Sequence, residues 1–259
     1  MIYWFSGTGN SARVAKVLAE RLGEQESKME KALLEIEDLK SLNSIGFIFP
    51  VYGWGLPLAV EQWIDRLPSL PVGFAAQQTL YVYSVLTCGD DIGRTDALLR
   101  QRLAAKGWPL QAVFSVQMRN TYVCLPGFDT DQPDLVETKE KVLQERLKAI
   151  AACIDRRQDS TKADVTPGSF PWLKTYVLRP LFNRWLTNDR HFHVDTKQCI
   201  GCGRCEKLCP LHNIRLTKEN APEWMGHCTH CLACYHVCPK HAIRYGLFTK
   251  GKGQVRINF

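Results

Sequence analysis

The chain of 259 residues has no apolar run approaching the roughly 20 residues that a membrane-spanning helix needs, which sets that architecture aside. Its N-terminus lacks a basic flank, an apolar stretch and a cleavage site. Met1 to Phe5 leads straight into a glycine-rich turn, so no export signal is expected and a cytoplasmic setting is. There is no low-complexity tract, and 45% hydrophobic with 23% charged residues excludes the disordered and fibrous classes. No Gly-Lys is followed by Ser or Thr, so a Walker phosphate loop is missing too. Histidine is absent before His191, and carboxylates are scarce late in the chain. Residues 159–259 hold 15 basic and 7 acidic side chains, net +8, whereas residues 1–158 hold 18 and 19, net −1. Such asymmetry ordinarily marks a surface for nucleic acid, an anionic membrane or an acidic protein.

Cysteine, by contrast, is abundant: there are 11, eight of them between positions 199 and 238. In a chain without an export signal, that crowding reads as metal ligation rather than disulfides. The runs are Cys199-Ile-Gly-Cys202-Gly-Arg-Cys205-Glu-Lys-Leu-Cys209-Pro210 and Cys228-Thr-His-Cys231-Leu-Ala-Cys234-Tyr-His-Val-Cys238-Pro239, each C-x2-C-x2-C-x3-C-P. Three thiolates on one tight loop cap three corners of an iron–sulfur cube, and the fourth must come from elsewhere. Residues 191–244 thereby resemble a bacterial two-cluster ferredoxin. That resemblance implies two 4Fe-4S clusters whose fourth ligands cross over: Cys199, Cys202, Cys205 and Cys238 hold one, and Cys228, Cys231, Cys234 and Cys209 the other. Zinc is the alternative, since two C-x2-C pairs can close one tetrahedral site, but it leaves two full runs ending in Cys-Pro without a purpose. With eight cysteines available, His227 and His230 are expected to be solvent-facing or hydrogen-bonding rather than ligands.

Residues 1–158 alternate apolar runs with helical patterns. Strands are expected at Met1 to Phe5, weakly at Ala32 to Ile36, and at Ser44 to Val51, Thr79 to Leu86 and Gln111 to Met118. Helices are expected at Ser11 to Leu22, Pro57 to Leu67, Gly93 to Lys106 and Asp134 to Arg157. Five strands separated by helices predict a parallel sheet covered on both faces. The turn Ser6-Gly7-Thr8-Gly9-Asn10-Ser11 follows the first strand and opens a helix, whose orphan N–H groups make it a phosphate seat. GTGNSA also fits a dinucleotide fingerprint, but Glu35 and Glu37 are poorly placed for the ribose acid that reading wants. The hydroxyls of Ser6, Thr8 and Ser11 and the Asn10 amide suit the phosphate of a mononucleotide. Here the sequence resembles flavodoxin, whose phosphate loop runs Thr/Ser-x-Thr-Gly-Asn-Thr.

The resemblance implies FMN and two further loops at strand ends. In Pro50-Val51-Tyr52-Gly53-Trp54, the aromatics would supply a flat face for the flavin ring, and the Gly53 peptide would turn its carbonyl toward flavin N5. Thr87-Cys88-Gly89-Asp90 would border the pyrimidine edge with backbone amides. The loop Gln117 to Val123 departs from the Met-Pro-x-Asn-Tyr of related fusions, with Arg119 at the second place and extra spacing before Tyr122, so no site residue is assigned there. Cys88, Cys124 and Cys153 read as structural thiols.

The whole chain resembles the flavodoxin–ferredoxin fusion family. The expected fold class is an α/β flavodoxin-like doubly wound five-stranded parallel sheet plus a small α+β two-cluster ferredoxin-like domain. The expected divisions are residues 1–158, a linker with an amphipathic helix at 159–190, and 191–259. Within the linker, Gln158 to Ser169 breaks the pattern. The basic, aromatic helix at 171–186 is expected to pack between the domains, with peripheral membrane contact as the less favoured reading. The expected function is electron transfer between the clusters and FMN, and to or from an external redox partner. The alternatives are an FMN-dependent reductase of a quinone or nitro acceptor, and a zinc-stabilised binding module without flavin. Each oxidised cluster with its thiolates carries about −2, and the FMN phosphate about −2, which brings the +7 chain to about +1. That weakens nucleic-acid binding and leaves a modest basic face suited to an acidic redox partner.

Overall fold

The computed structural model describes residues 1–77, 79–159 and 164–255. Its larger part is built from β1 (Ile2–Trp4), α1 (Asn10–Leu22), β2 (Glu26–Lys28), the single turn α2 (Ile36–Leu39), β3 (Ser44–Pro50), α3 (Leu58–Arg66), the single turn α4 (Phe74–Gln77), β4 (Tyr81–Cys88), α5 (Thr95–Ala104), β5 (Ala112–Gln117) and α6 (Pro133–Asp155). The five strands are all parallel, in the order β2-β1-β3-β4-β5. That is the flavodoxin-like doubly wound order, with its switch point between β1 and β3.

Alternation along β1 explains both cores. Ile2 and Trp4 pack toward α1 and α6, against Val14, Leu18, Leu147 and Ile150. Tyr3 and Phe5 pack with Val60 and Trp63 of α3 and Leu99 of α5. The strand expected at Ala32 to Ile36 is not one; Glu26–Lys28 takes its place at the sheet edge. With one neighbour and polar, half-exposed residues, β2 carries no hydrophobic pattern, so the apolar residues after it drew the wrong assignment.

The stretch Gln158 to Ser169 is anchored where it is described. Asp164 N donates to Val113 O at 3.0 Å and Ser115 N to Asp164 O at 3.1 Å, a parallel bridge on the free edge of β5. Residues 160–163 of that linker, and 256–259 at the end of the chain, lie outside the described residues. Next come α7 (Pro171–Leu173), a π-helical segment (Lys174–Leu178) and α8 (Arg179–Trp185), together one linker helix.

The cysteine-rich part has two antiparallel pairs and two short helices. In chain order these are β6 (Phe192–Val194), α9 (Arg204–Lys207), β7 (Ile214–Leu216), β8 (Pro222–Trp224), α10 (Ala233–Val237) and β9 (Ile243–Tyr245). β6 pairs with β9 and β7 with β8. Its small core includes Phe192, Tyr235 and Tyr245 and is completed by Val123 and Cys124 from the larger part. His236 Nε2 donates to Thr121 O at 2.8 Å, while its Nδ1 accepts from Val255 N at 3.2 Å, which fixes the neutral tautomer across the junction. Among the described residues no helix is long and apolar enough to cross a membrane.

Candidate cofactor sites

The phosphate-seat turn is shaped by Gly9, whose φ of 93° is left-handed, and α1 starts at Asn10 with no side-chain cap and no acidic residue in its first turn. Its first N–H groups are therefore orphan donors for an anion. Ser6 Oγ accepts from Gly9 N at 3.1 Å, and Ser11 Oγ pairs with Thr87 Oγ1 at 2.8 Å, so both hydroxyls brace the loops. Asn10 Nδ2 donates to Arg119 O at 3.0 Å.

Tyr52 N donates to Gly55 O at 3.0 Å and Gly55 N to Tyr52 O at 3.1 Å, closing a two-residue hairpin. Gly53 and Trp54 both have positive φ, 51° and 56°, as a type I′ turn requires. A Cβ on Gly53 would lie 2.6 Å from the Phe182 ring of the linker helix, so alanine there meets Phe182 first.

These loops close a cavity of about 350 Å³. Ser6, Gly7, Thr8, Asn10, Ser11, Pro50, Val51, Tyr52, Gly53, Trp54, Thr87, Cys88, Gly89 and Asp90 all line it. Gly9 lies instead on an adjoining groove of about 620 Å³, whose Arg13 and Lys139 are held by Glu140 and Asp131. The sequence missed the rest of the smaller cavity's wall: Arg119, Asn120, Thr121, Tyr122, Leu125 and Phe128 from the loop after β5, Lys174 and Phe182 from the linker helix, and His230, Cys231 and Leu232. Departure from the Met-Pro-x-Asn-Tyr pattern hid the first group. The others meet the cavity through contacts hundreds of atoms apart in the chain, which leave no local signal.

His230 corrects an expectation. It is only 4% exposed, with neither ring nitrogen paired, and it meets Tyr122 and Phe192 at a tilt and Phe182 and Tyr245 edge-on, at centroid distances of 5.0 to 6.3 Å. Burial lowers its pKa to about 4. Tyr122 Oη is likewise buried without a partner. A ligand bearing ring carbonyls and nitrogens would satisfy these orphaned groups, which is the chemistry of a flavin ring. Cys88 is no reactive thiol: burial, with Asp91 and Asp90 nearby, pushes it up to about 12.

The cysteines fall in two neighbourhoods. Cys199, Cys202, Cys205 and Cys238 line one small cavity. Cys209 lies close enough to Cys228, Cys231 and Cys234 to act on each electrostatically. Backbone N–H groups already point at the sulfurs: Asn213 N at Cys209, His230 N at Cys228 and Ala242 N at Cys238, each 3.2 Å away. Among the described residues no three His, Cys, Asp or Glu side chains converge as a single metal ion would require.

Residues 191–239 match the 4Fe-4S dicluster domain family. The dicluster domain meets the phosphate-seat turn directly. A Cβ on Gly7 would lie 2.5 Å from Cys231 Cβ, 2.7 Å from Cys231 O and 2.8 Å from Tyr52 Oη. Across 61% of this chain and all of its own, the Trp repressor binding protein from Bacillus subtilis is similar at 16% identity and TM-score 0.41. A Streptococcus pneumoniae TIGR4 flavodoxin is similar over 57% of this chain and 97% of its own, at 16% identity and TM-score 0.36. An FMN-dependent NADH-azoreductase from Bacillus anthracis is similar over 60% of this chain and 97% of its own, at 10% identity and TM-score 0.42. The fold assignment rests on the strand order itself and not on these low-scoring likenesses. No curated protein matches the sequence.

Proposed function

We propose that the chain is an electron-transfer iron–sulfur flavoprotein, with FMN in residues 1–158 and two 4Fe-4S clusters in residues 191–259, passing single electrons between them and to or from an external redox partner. The observation that carries this reading is the contact of Gly7 with Cys231, which joins the phosphate-seat turn to a cluster ligand with no side chain between them.

The chain's own groups then have distinct tasks. The open N-terminus of α1 takes the phosphate, and the Tyr52-to-Gly55 hairpin and the loop after β4 flank the ring. Tyr122, Phe182 and His230 keep water from the far side of the cavity. The thiolates of Cys209, Cys228, Cys231 and Cys234 hold the inner cluster, and those of Cys199, Cys202, Cys205 and Cys238 the outer one. When bound, the clusters supply one-electron steps and the flavin a site that accepts two.

Cys202 and Ile200 beside the outer cluster are exposed, as are Lys197, Arg204, Lys207 and Lys240. That basic rim suits an acidic one-electron partner. Iron, sulfide and FMN measured on anaerobically purified protein test the cofactor complement: about eight iron, eight sulfide and one FMN per chain are expected. Zinc without sulfide would overturn it.

A second reading, a reductase of a small quinone or nitro acceptor, draws on the aromatic wall of Tyr122, Phe128 and Phe182 in the same cavity. Multiple turnovers with such an acceptor, driven by a reduced ferredoxin, would favour it; oxidation limited to one equivalent per cofactor would not.

A further inference from the structure

We propose that the linker helix docks the protein on an anionic lipid surface. One side of this 15-residue stretch is committed to the flavodoxin-like part. Lys174 Nζ lies 2.5 Å from Asp91 Oδ2, Thr175 Oγ1 donates to Trp54 O at 3.0 Å, and Arg179 Nη2 donates to Leu56 O and Glu61 Oε1, each at 2.8 Å. These bonds fix the helix, so its remaining side chains do not have the freedom to turn inward.

Most of those remaining side chains are apolar and in water. Trp172 is 61% exposed and Trp185 59%, with Leu173, Tyr176, Leu178 and Leu181 exposed between them. Soluble surfaces normally scatter such residues singly, and a contiguous run of large apolar side chains marks an interaction face. Beside the helix end, Tyr245 Oη donates to Leu186 O at 2.8 Å, and two residues on Leu247 is 91% exposed. A helix and a turn tip therefore offer apolar groups from neighbouring parts of the surface.

Charge selects the occupant. No carboxylate occurs from Val165 to Asn188, while Arg184 on the helix and Arg190 just after it are exposed. A second copy would bring the same basic, apolar face, and like charge would meet like. Anionic lipid headgroups supply the missing sign. Tryptophan and tyrosine with arginine on a helix too short and too charged to span is the composition of a helix lying in the bilayer interface. Because Lys174 and Phe182 of this helix line the 350 Å³ cavity from its inner side, docking would hold that cavity about one helix diameter, roughly 10 Å, from the lipid.

The test is co-sedimentation of the anaerobically purified full chain with vesicles of phosphatidylcholine alone or with about one-third phosphatidylglycerol. Binding to the anionic vesicles is expected, about tenfold weaker on neutral ones. The double variant Trp172→Ser/Trp185→Ser is expected to lower the partition at least tenfold with bound iron and flavin unchanged, and Arg184→Glu about fivefold or more. Absence of vesicle binding overturns the proposal, as does binding indifferent to all three substitutions. A dimer that dissociates on changing Trp185, with no vesicle binding, assigns the face to a second copy and overturns it equally.

Discussion

Gly7 is not held in the left-handed backbone region, so its missing side chain is explained by space alone: Cys231 and the Tyr52 hydroxyl occupy the place a methyl group would need. Backbone and Cβ atoms give way less readily than flexible side-chain ends. Gly7→Ala is therefore expected to weaken FMN binding about tenfold or more, measured by quenching of flavin fluorescence on titration. Unaltered affinity would separate the turn from the cluster loop. Cys209 belongs with the second run of cysteines in space although it lies in the first run in sequence. Cys209→Ser is thus expected to halve the iron content to about four per chain and to spare the signal of the outer cluster; loss of the outer cluster instead would show that the ligands do not cross. Glu30 is a third residue-scale case. Burial raises its carboxyl above the ordinary 4.5, against the pull of Lys28, Lys31 and His212, and Oε2 has no partner. A raised folded-state pKa in an acid means stability lost as pH rises past the unfolded value, so the charged form is a burden at neutral pH. Glu30→Gln is expected to raise the thermal midpoint by about 1–3 °C at pH 7 and to lose that advantage below about pH 4.

At the scale of elements, the linker helix couples the aromatic hairpin to the rest of the cavity, because Phe182 stands against Gly53 and packs at a tilt on Tyr122 and edge-on to His230. Gly53→Ala alone is expected to disturb flavin binding by displacing Phe182. In a Phe182→Ala background the added methyl has room, so the two substitutions should be non-additive by about 0.5–3 kcal/mol in FMN affinity. Strict additivity would mean that the two residues do not meet. Elements also show which features a sequence exposes. The buried strands β3 and β4 and the helix α1 announce themselves because burial on both faces, or on one stripe, imposes a run or a period. β2 does not, since an edge strand of Glu26, Ser27 and Lys28 buries almost nothing. The glycine turn and the cysteine runs were legible because their chemistry is local. The cavity wall of Lys174, Phe182, His230 and Leu232 was not, because it exists only where three parts of the chain converge. In the helix at 171–186, Arg179 is bonded to Leu56 and Glu61 of the flavodoxin-like part, and the outer side is left exposed by the same bonds that hold it.

For the whole molecule, the junction between the flavodoxin-like and dicluster parts is what makes one chain of two redox modules. The Val123 and Cys124 core contact, the His236 bond to Thr121 and the Gly7–Cys231 contact are made on the flavodoxin-like side by the loops after β1 and β5, distant in sequence, and those loops meet the cysteine-rich part directly. Under the proposed function, the cluster held by Cys199, Cys202, Cys205 and Cys238 would be the open end of the arrangement, since Cys202 is exposed, and the other would lie beside the cavity that Cys231 lines. Electrons delivered outside should thus reach the flavin site without leaving the chain. Anaerobic rapid mixing of the oxidised holoprotein with a one-electron donor, following cluster and flavin absorbance separately, tests this directly. The expected result is cluster bleaching followed by flavin reduction at a rate independent of protein concentration. Flavin reduction that accelerates in proportion to protein concentration, or flavin left oxidised beside reduced clusters, would contradict it.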